Sequence, residues 1–402
     1  MSTSPTVPAG AVPLARRSLA PDLARGAMLL LIALAHGHTY LSGHQVGLHG
    51  YALSGGGLDR VAAGVQIALV DGRALPMFAA LFGYGLVQIV RRQEASGREW
   101  PHIRRILRRR GWWMIAFGAC HALLLFSGDI LGAYGLVGLL LAGFVRRSDR
   151  AVLRAAGGFL AGYVVMSAAY GWLTVAPETD DALDMAATVQ AAALRLVVWI
   201  VSTTAVLLVH VIPPFLVGIW AARRRVLEEP VRHRALLRRT AATGLAAALL
   251  GGLPLALTGA RLWAPSDAVA VSAYVLHSVT GVLGGLGYAA LVGLVAGRVT
   301  HGGSAPSRPV RALAACGQWS LTCYLLQSVA FVALFAPYAG GLGTRIGGAA
   351  ASGIAVAVWL STVALAATLA PRGHRGPAET ALRRLTYGTR SPGRGRPAPG
   401  TA

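Results

Sequence analysis

The sequence contains no lysine and few charged residues of any kind. Only 13% of its 402 residues are charged, whereas a soluble domain normally carries about 25%. Because so few charges cannot cover a water-facing surface, the composition excludes an ordinary soluble domain. The 37 basic residues, all arginine, outnumber 15 acidic ones. Such a balance often indicates nucleic-acid binding, but these arginines stand in short clusters between apolar runs, so we expect no nucleic-acid partner.

The common sequence signatures of soluble enzymes and metal sites are also missing. The three cysteines, Cys120, Cys316 and Cys323, lie in apolar segments without CxxC or Cys/His spacing, which is typical of buried free thiols. There is no GxSxG, no P-loop and no GxGxxG between a strand and a helix. Residues 1–20 lack the short apolar core of a cleaved signal peptide.

Long apolar runs dominate the chain, whose mean hydropathy is +0.57. A helix needs roughly 20 apolar residues to cross the hydrocarbon core. The sequence therefore predicts an all-α polytopic protein of about ten transmembrane helices, with the lipid bilayer as its partner. The predicted spans are 23–42, 74–90, 112–127, 129–145, 153–175, 198–221, 238–258, 272–297, 313–337 and 347–370.

The arginines alternate sides regularly when the chain is threaded through these ten spans. One side receives 32 of the 37, and the other receives five: Arg60, Arg73, Arg195, Arg261 and Arg345. Arginine-rich loops face the cytoplasm, so both termini are predicted to be cytoplasmic. We divide the chain into a cytoplasmic N-terminal segment (1–20), one ten-helix membrane domain (21–371) and a basic cytoplasmic tail (372–402).

The first predicted span carries ionisable residues at helical spacing. Arg25 and His36 are eleven residues apart, about three helical turns, and so share one face with Tyr40 close to the same stripe. His36 would lie roughly 16 Å above Arg25, past the bilayer midplane. An ionisable residue at that depth indicates function, although an interhelical hydrogen bond would also explain it.

The third and fourth spans form a tight hairpin with polar residues near its tip. Asp129 begins span four, where a carboxylate caps a helix N-terminus. His121 lies two turns below the tip and could join Asp129 in a polar network, with Tyr134 one turn further along. A histidine oriented by a carboxylate is also the arrangement that a general base needs.

The ninth span has a polar stripe, and the outer loop has extra histidines. Ser320, Tyr324, Gln327 and Ser328 recur at helical spacing, which suits either helix–helix hydrogen bonding or the lining of a substrate cavity. His36, His38, His44 and His49 lie within fourteen residues, but no HxxxH pair or carboxylate cluster accompanies them. We therefore expect no metal site.

These residues give the chain a family resemblance along nearly its whole length. It resembles the YeiB-like family of bacterial membrane proteins in residues 23–26 (LARG), 78–83 (FAALFG), 121–134 around GDIL, 317–328 and 376–388. That family is distantly similar to transmembrane acyltransferases, including acyltransferase family 3. The latter family has an Arg, ten residues and then a His in its first span, as Arg25 and His36 stand here. The YeiB-like pattern usually has Asn where this chain has His36, and this departure favours acyl transfer.

The resemblance implies acyl transfer from a cytoplasmic thioester to an acceptor within or outside a bacterial plasma membrane. His36 would be the general base, Arg25 would bind the donor phosphates with the 104–110 arginines, and Asp129 and His121 would organise the outer cavity. Tyr40, Tyr134, Ser320, Tyr324 and Gln327 would line it. No bound cofactor is expected, since acyl-CoA would be a co-substrate. The alternative is a transporter of a small solute or lipid; the sequence sets no oligomeric state.

Overall fold

The computed structural model describes residues 19–47, 49–175, 178–179, 188–301 and 305–388, and these are almost wholly helical, as predicted. The only strands among them, β1 (Gln45–Val46) and β2 (Glu178–Thr179), form a two-residue antiparallel pair. Most of the predicted N-terminal segment and the end of the predicted tail lie outside the described residues. The helices are α1 (Leu19–Gly37), α2 (Gly57–Leu69), α3 (Ala74–Glu94), α4 (Trp100–Leu124), α5 (Leu131–Leu141), α6 (Asp149–Thr174), α7 (Val189–Val201), α8 (Leu208–Arg223), α9 (Arg234–Gly259), α10 (Asp267–His301), α11 (Arg308–Gln318), α12 (Ser320–Phe335), α13 (Gly348–Leu369) and α14 (Pro377–Tyr387).

Short helical turns extend or join several of these helices. The 3-10 turns are His38–Tyr40 after α1, Ala142–Arg146 after α5, Leu342–Thr344 before α13 and Ala370–Arg372 after it. A π-helical segment, Ser202–Leu207, joins α7 to α8, and α8 contains both Pro213 and Pro214. The sequence predicts a kinked span here, and this irregular junction lies just before the prolines.

Among the described residues, six helical segments are long and apolar enough to cross a membrane, or seven if α11 and α12 count as one span. The shorter apolar segments Leu131–Arg146 and Val189–Thr204 add to them. The chain is therefore a multi-pass membrane protein. The six segments are Leu19–Tyr40, Gly57–Glu94, Asp149–Thr174, Arg234–Gly259, Asp267–His301 and Gly348–Arg372.

Helix α1 lies at the centre of the fold, packed against α3, α10, α11, α12 and α13. Its approach to α11 depends on two glycines: a Cβ on Gly26 would overlap the carbonyl of Leu313, and one on Gly317 would overlap the carbonyl of Asp22. Small residues allow such contact between membrane helices because their backbones can approach closely. The indole of Trp359 in α13 also donates to the carbonyl of Gly26, at 3.2 Å.

The predicted ninth span (313–337) is not one continuous helix. Helices α11 and α12 are bent by 85° at Trp319. The break leaves the first backbone N–H groups of α12 without intrahelical partners. The carboxylate of Glu379 in α14 accepts from the N–H groups of Leu321 (2.6 Å) and Thr322 (3.2 Å). The carboxylate that caps α12 belongs to a residue 57 positions after Thr322 in the chain. The hydrophobic periodicity of the predicted span therefore does not reveal the break.

Helix α2 is a second feature that the hydropathy pattern misses. Residues 43–72 lie between the first two predicted spans, yet 57–69 form a helix packed against α9 and α13. Asp59 accepts from the N–H groups of Gly56 (3.1 Å) and Ala349 (2.9 Å), so one carboxylate joins the start of α2 to the start of α13. Arg60 donates to the carbonyls of Ala260 and Arg261, which ties α2 to the end of α9.

Candidate functional site

Asp129 is the centre of a buried polar cluster between the α4–α5 hairpin, α7 and α12. Its carboxylate is fully enclosed, and Oδ2 lies 2.9 Å from Nδ1 of His121. The indole N–H of Trp199 donates to Oδ1 at 3.2 Å, and the phenolic O–H of Tyr324 donates to Oδ2 at 3.3 Å. The backbone N–H of Gly132 donates to Oδ1 at 3.0 Å. Asp129 therefore both caps the start of α5 and holds a side-chain network.

The ring nitrogens of His121 make no hydrogen bond of good geometry with the described residues, although Nδ1 lies 2.9 Å from the carboxylate of Asp129. The His121 side chain is only 1% exposed, and Nε2 has no hydrogen-bond partner among the described residues. The carboxylate beside Nδ1 favours the tautomer that carries the proton there, since a neutral imidazole donates from one nitrogen and accepts at the other. The lone pair of Nε2 is then available to accept a proton or a hydrogen bond.

His36 stands beside the same network on α1. Its ring centroid lies 4.8 Å from that of Phe126 and 6.2 Å from that of Tyr324, whose own ring is 5.0 Å from His121. The side chain is half-buried, and in the described part of the chain its ring nitrogens have no hydrogen-bond partner. Four residues predicted from three distant segments thus converge. We call His36, His121, Asp129, Trp199 and Tyr324 the Asp129 cluster.

The other predicted cavity residues lie around this cluster or away from it. Tyr40 is fully buried, with ring centroids 5.1 Å from Phe126 and 5.3 Å from Phe331. Tyr134 packs against α3, where its hydroxyl donates to the carbonyl of Leu75 at 3.0 Å. Its position belongs to the α3–α5 interface.

The polar stripe of α12 is divided between two neighbours. Tyr324 faces Asp129, whereas the side-chain amide of Gln327 donates to Thr362 of α13 at 3.4 Å. Ser320 opens α12 at the break and is half-buried. Only Tyr324 of the three reaches the Asp129 cluster directly.

Arg25 lies towards the other end of α1 from His36. Its Nη1 is 3.3 Å from the carboxylate of Asp22. Its guanidinium packs over Gly85 of α3. The side chain is 27% exposed. Arg110 of α4 is close enough to repel Arg25 and to interact with Tyr387 of α14. The structure thus groups Arg25 with one arginine of the predicted 104–110 cluster, at the end of α1 remote from His36.

A second polar cluster, which the sequence does not predict, lies on the opposite side of α1. Arg73 is fully buried and donates to the carbonyls of Asp71 and Ala248. Its Nη1 also lies 3.1 Å from Nδ1 of His277. The hydroxyl of Tyr51 donates to the carboxylate of Asp71 at 2.7 Å.

Histidines from the 3-10 turn after α1 and from the loop that follows it complete this second cluster. The ring of His38 stacks on Tyr51 with centroids 4.0 Å apart, and His49 lies 3.6 Å from the carboxylate of Asp71. The ring of His49 is also 5.0 Å from that of His277. We call His38, His49, Tyr51, Asp71, Arg73 and His277 the Arg73 cluster. Across the described residues, no group of three or more His, Cys, Asp or Glu side chains is arranged to hold a metal ion.

Two features of the sequence could have indicated the Arg73 cluster. Arg73 is one of only five arginines on the arginine-poor side, and it directly precedes a predicted span. His277 lies within the predicted span 272–297, and no local sequence pattern gives it a partner. Their contact joins residues 204 positions apart, so no local pattern reveals that each is the partner of the other.

Comparison with known proteins gives relatives without an assigned activity. The family of proteins of unknown function designated DUF418 matches residues 221–389. The uncharacterized protein YxaH of Bacillus subtilis (strain 168) is 23% identical over 363 residues, which is 82% of this chain and 83% of YxaH. The uncharacterized protein YeiB of Escherichia coli (strain K12) is 43% identical over 72 residues, 18% of this chain and 16% of YeiB. No solved structure matches the chain.

Proposed function

We propose that this chain, which belongs to the YeiB-like family of membrane proteins and carries the DUF418 match, transfers an acyl group from a cytoplasmic thioester to an acceptor within or outside the membrane. The observation that carries the proposal is the Asp129 cluster. A buried carboxylate orients the imidazole of His121, and a second, half-buried imidazole from His36 stands beside it. Ionisable groups inside a membrane are costly, which favours a functional role over a packing role.

His36 is the general base in this proposal because it is the more accessible of the two imidazoles. It removes the proton from an acceptor hydroxyl or amine as the acceptor oxygen or nitrogen attacks the thioester carbonyl carbon. The new C–O or C–N bond forms, the C–S bond breaks, and the thiolate of CoA leaves. The imidazolium of His36 returns its proton to that thiolate, so the reaction closes without another reagent.

The Asp129–His121 pair holds the surroundings of His36 in place. Tyr324 donates to Asp129, and its ring lies next to those of both histidines. His121 presents Nε2 as an acceptor that can orient the O–H or N–H of the substrate. Because these groups are buried, their hydrogen bonds are electrostatically stronger than in water and fix the geometry more firmly.

Arg25 is the donor-binding residue in this proposal. It lies about 16 Å from His36 along α1, a distance that the pantetheine arm of acyl-CoA can span. A guanidinium suits phosphate because its fork of N–H donors makes paired, charge-assisted hydrogen bonds. Arg110 strengthens the positive potential on the same side of the molecule.

The topology that fits this function has ten spans with both termini in the cytoplasm of a bacterial cell. The spans are α1, α3, α4, α5, α6, the α7–α8 pair, α9, α10, the α11–α12 pair and α13. The 32 arginines assigned to the cytoplasmic segments support this orientation. In a variant lacking the three native cysteines, Arg98→Cys should resist an impermeant thiol reagent in intact cells, and labelling there would refute the orientation.

The function is tested by supplying the purified protein with acetyl-CoA or palmitoyl-CoA in the presence of a lipid extract from the expressing cells. Release of free CoA that depends on the extract, with an acylated product in the mass spectrum, is the expected result. Arg25→Ala should raise the acyl-CoA concentration needed for half-maximal rate more than Arg92→Ala does. A charge-assisted phosphate contact contributes about 1.5–3 kcal/mol.

The matched arginine variants separate donor binding from a general effect of charge. Arg92 donates to the carbonyl of Gln88 on α3 and is exposed, so it carries the same charge at a position more open to solvent than Arg25. Equal losses in the two variants would make Arg25 an anchor for topology alone. Movement of a labelled solute across vesicles without CoA release would point instead to transport.

A further inference from the structure

One groove on the surface is lined by arginines and tryptophans of α4. Its volume is about 480 Å³, and its walls are Pro101, Arg104, Arg105, Arg108, Arg109, Trp112 and Trp113. Trp112 is 59% exposed, although it is a large apolar side chain. Four positive charges within six residues thus border an exposed aromatic surface.

This groove does not belong to the proposed catalytic path. At 100° per residue, its lining residues occupy the face of α4 opposite to Arg110 and His121. The inner face is buried through Ile103, Leu107 and Met114. The groove therefore faces outward, towards the lipid, while Arg110 faces the Arg25 end of α1.

The charge in the groove has no counter-charge in the described parts of the chain. No carboxylate there lies within 4 Å of Arg104, Arg105, Arg108 or Arg109. The spacing places Arg104 next to Arg108 and Arg105 next to Arg109, and like charges four residues apart on a helix repel each other. An anion between two turns of α4 would remove that repulsion.

Residues 1–18 contain two arginines and no acidic residue, and residues 389–402 contain three arginines and no acidic residue. The side chains of these two segments therefore offer the groove no counter-charge.

We propose that this groove binds the phosphate head group of an anionic phospholipid of the cytoplasmic leaflet. The cation–π contact between Arg146 and Trp100, 5.2 Å from guanidinium carbon to ring centroid, sets the start of α4 level with the end of the α5 segment. Arg104 to Arg109 follow within the next two turns, where long arginine side chains reach back to head groups. Trp112 and Trp113 lie one turn deeper, a depth that suits amphipathic indole rings.

Lipid selectivity in the full-length protein tests this proposal directly. Wild-type protein in detergent is mixed with phosphatidylglycerol or phosphatidylcholine of the same acyl chains, and the retained lipid is measured by native mass spectrometry. We expect preferential retention of phosphatidylglycerol and a higher melting temperature with it. Equal retention of the two lipids would overturn the proposal without any variant.

A pair of charge-matched variants locates the selectivity. Arg105→Gln with Arg109→Gln removes one i,i+4 pair from the groove, and Arg234→Gln with Arg238→Gln removes an equally spaced, exposed pair from α9. An arginine near an anionic leaflet strengthens binding by about fivefold, so the α4 pair should lower the preference by roughly twenty-fivefold. The α9 pair should leave the preference nearly intact. Equal losses would mean diffuse attraction between the membrane and the whole arginine-rich side.

Two further measurements complete the test. If the α4 pair does not fold, Arg104→Gln with Arg108→Gln removes the neighbouring pair and should give the same loss of preference; an unchanged preference there would contradict the proposal. Addition of CoA or inorganic phosphate should not displace the lipid. Displacement by CoA would assign the groove to the acyl donor, and displacement by phosphate alone would show an unspecific anion site. Neither outcome depends on whether the protein turns over acyl-CoA.

Discussion

The two polar clusters that flank the end of α1 are built from similar side chains but use them differently. In the Arg73 cluster, a buried guanidinium and a buried carboxylate balance each other's charge, and they bond chiefly to carbonyls, a tyrosine and a histidine. In the Asp129 cluster, the carboxylate accepts three hydrogen bonds and lies beside Nδ1 of His121. Nε2 of His121 has no partner among the described residues, and His36 is half-buried. Both clusters leave a buried histidine nitrogen without a partner among the described residues, Nδ1 of His38 in one and Nε2 of His121 in the other. They differ in that the carboxylate of the Arg73 cluster has a buried guanidinium nearby, whereas no arginine belongs to the Asp129 cluster.

The division begins with two histidines two residues apart. His36 faces Phe126 and Tyr324, whereas His38 stacks on Tyr51 beside Asp71. Residues i and i+2 on a helix point about 200° apart, so a single helix end supplies one histidine to each cluster. This gives an internal comparison in which residue type, depth and local sequence are nearly constant while the surroundings differ.

Removing the charge of Arg73 should have the largest effect on stability. Arg73→Met removes hydrogen bonds to two backbone carbonyls and a positive charge close to the buried carboxylate of Asp71, and should cost about 3–5 kcal/mol. We expect a strongly lowered melting temperature in detergent, measured by intrinsic fluorescence. Arg238→Met, an exposed arginine on α9, is the control and should change little. Similar melting temperatures for the two variants would mean that the Arg73 cluster does not hold the fold together.

Removing the charge of Asp129 should affect catalysis more than stability. Asp129→Asn keeps the size of the side chain but weakens the acceptor for Trp199, Tyr324 and His121, at about 1–3 kcal/mol of stability. Because His121 loses its fixed tautomer, thioester turnover should fall roughly a hundredfold. Asp267→Asn, at the first turn of α10, should retain full turnover. If Asp129→Asn lowered the melting temperature as much as Arg73→Met does, the proposed difference between the two clusters would be contradicted.

Two buried tyrosines provide a finer comparison. Tyr324→Phe removes the hydrogen bond to Asp129, and Tyr134→Phe removes the one to the carbonyl of Leu75. Each should cost about 0.5–1.5 kcal/mol of stability. Only Tyr324→Phe should also slow turnover, because only that hydroxyl belongs to the Asp129 cluster. Equal turnover rates in Tyr324→Phe and Tyr134→Phe would show that Tyr324 does not belong to the functional site.

The smallest expected effect concerns the pH dependence of the loop that carries His49. Burial is the main cause that lowers the pKa of His49 below its ordinary 6.5; the nearby Arg73 lowers it further, and Asp71 opposes both. A lowered folded-state pKa stabilises the fold above pH 6.5, and that stability is lost as the pH falls towards the folded value. The melting temperature should therefore drop between pH 7.5 and 5.5, and drop less in His49→Gln, where Tyr51, Tyr274 and His277 remain. Parallel curves would exclude His49 as the titrating group.

The sequence predicts the apolar spans and several members of the Asp129 cluster because both depend on local patterns. The spacing of Arg25 and His36 on α1, and of His121 and Asp129 across a hairpin, follows from helix geometry alone. Trp199 escapes prediction because it reaches Asp129 from α7, 70 residues away. The break at Trp319 escapes for a similar reason, since the residue that caps α12, Glu379, belongs to α14. In each case the missed feature is a polar contact between residues far apart in the sequence, which the local hydrophobic periodicity does not reveal.

The central claim is that His36 acts as a base and does not merely pack. Thioester turnover should be compared in wild type, His36→Asn and His38→Ala, each first shown to be inserted and of normal melting temperature. Loss of a general base costs ~10²–10⁴-fold in rate, whereas Asn keeps a hydrogen-bonding side chain of similar reach. We predict that His36→Asn loses turnover by at least about a hundredfold while His38→Ala retains it. Full turnover in His36→Asn would contradict the account.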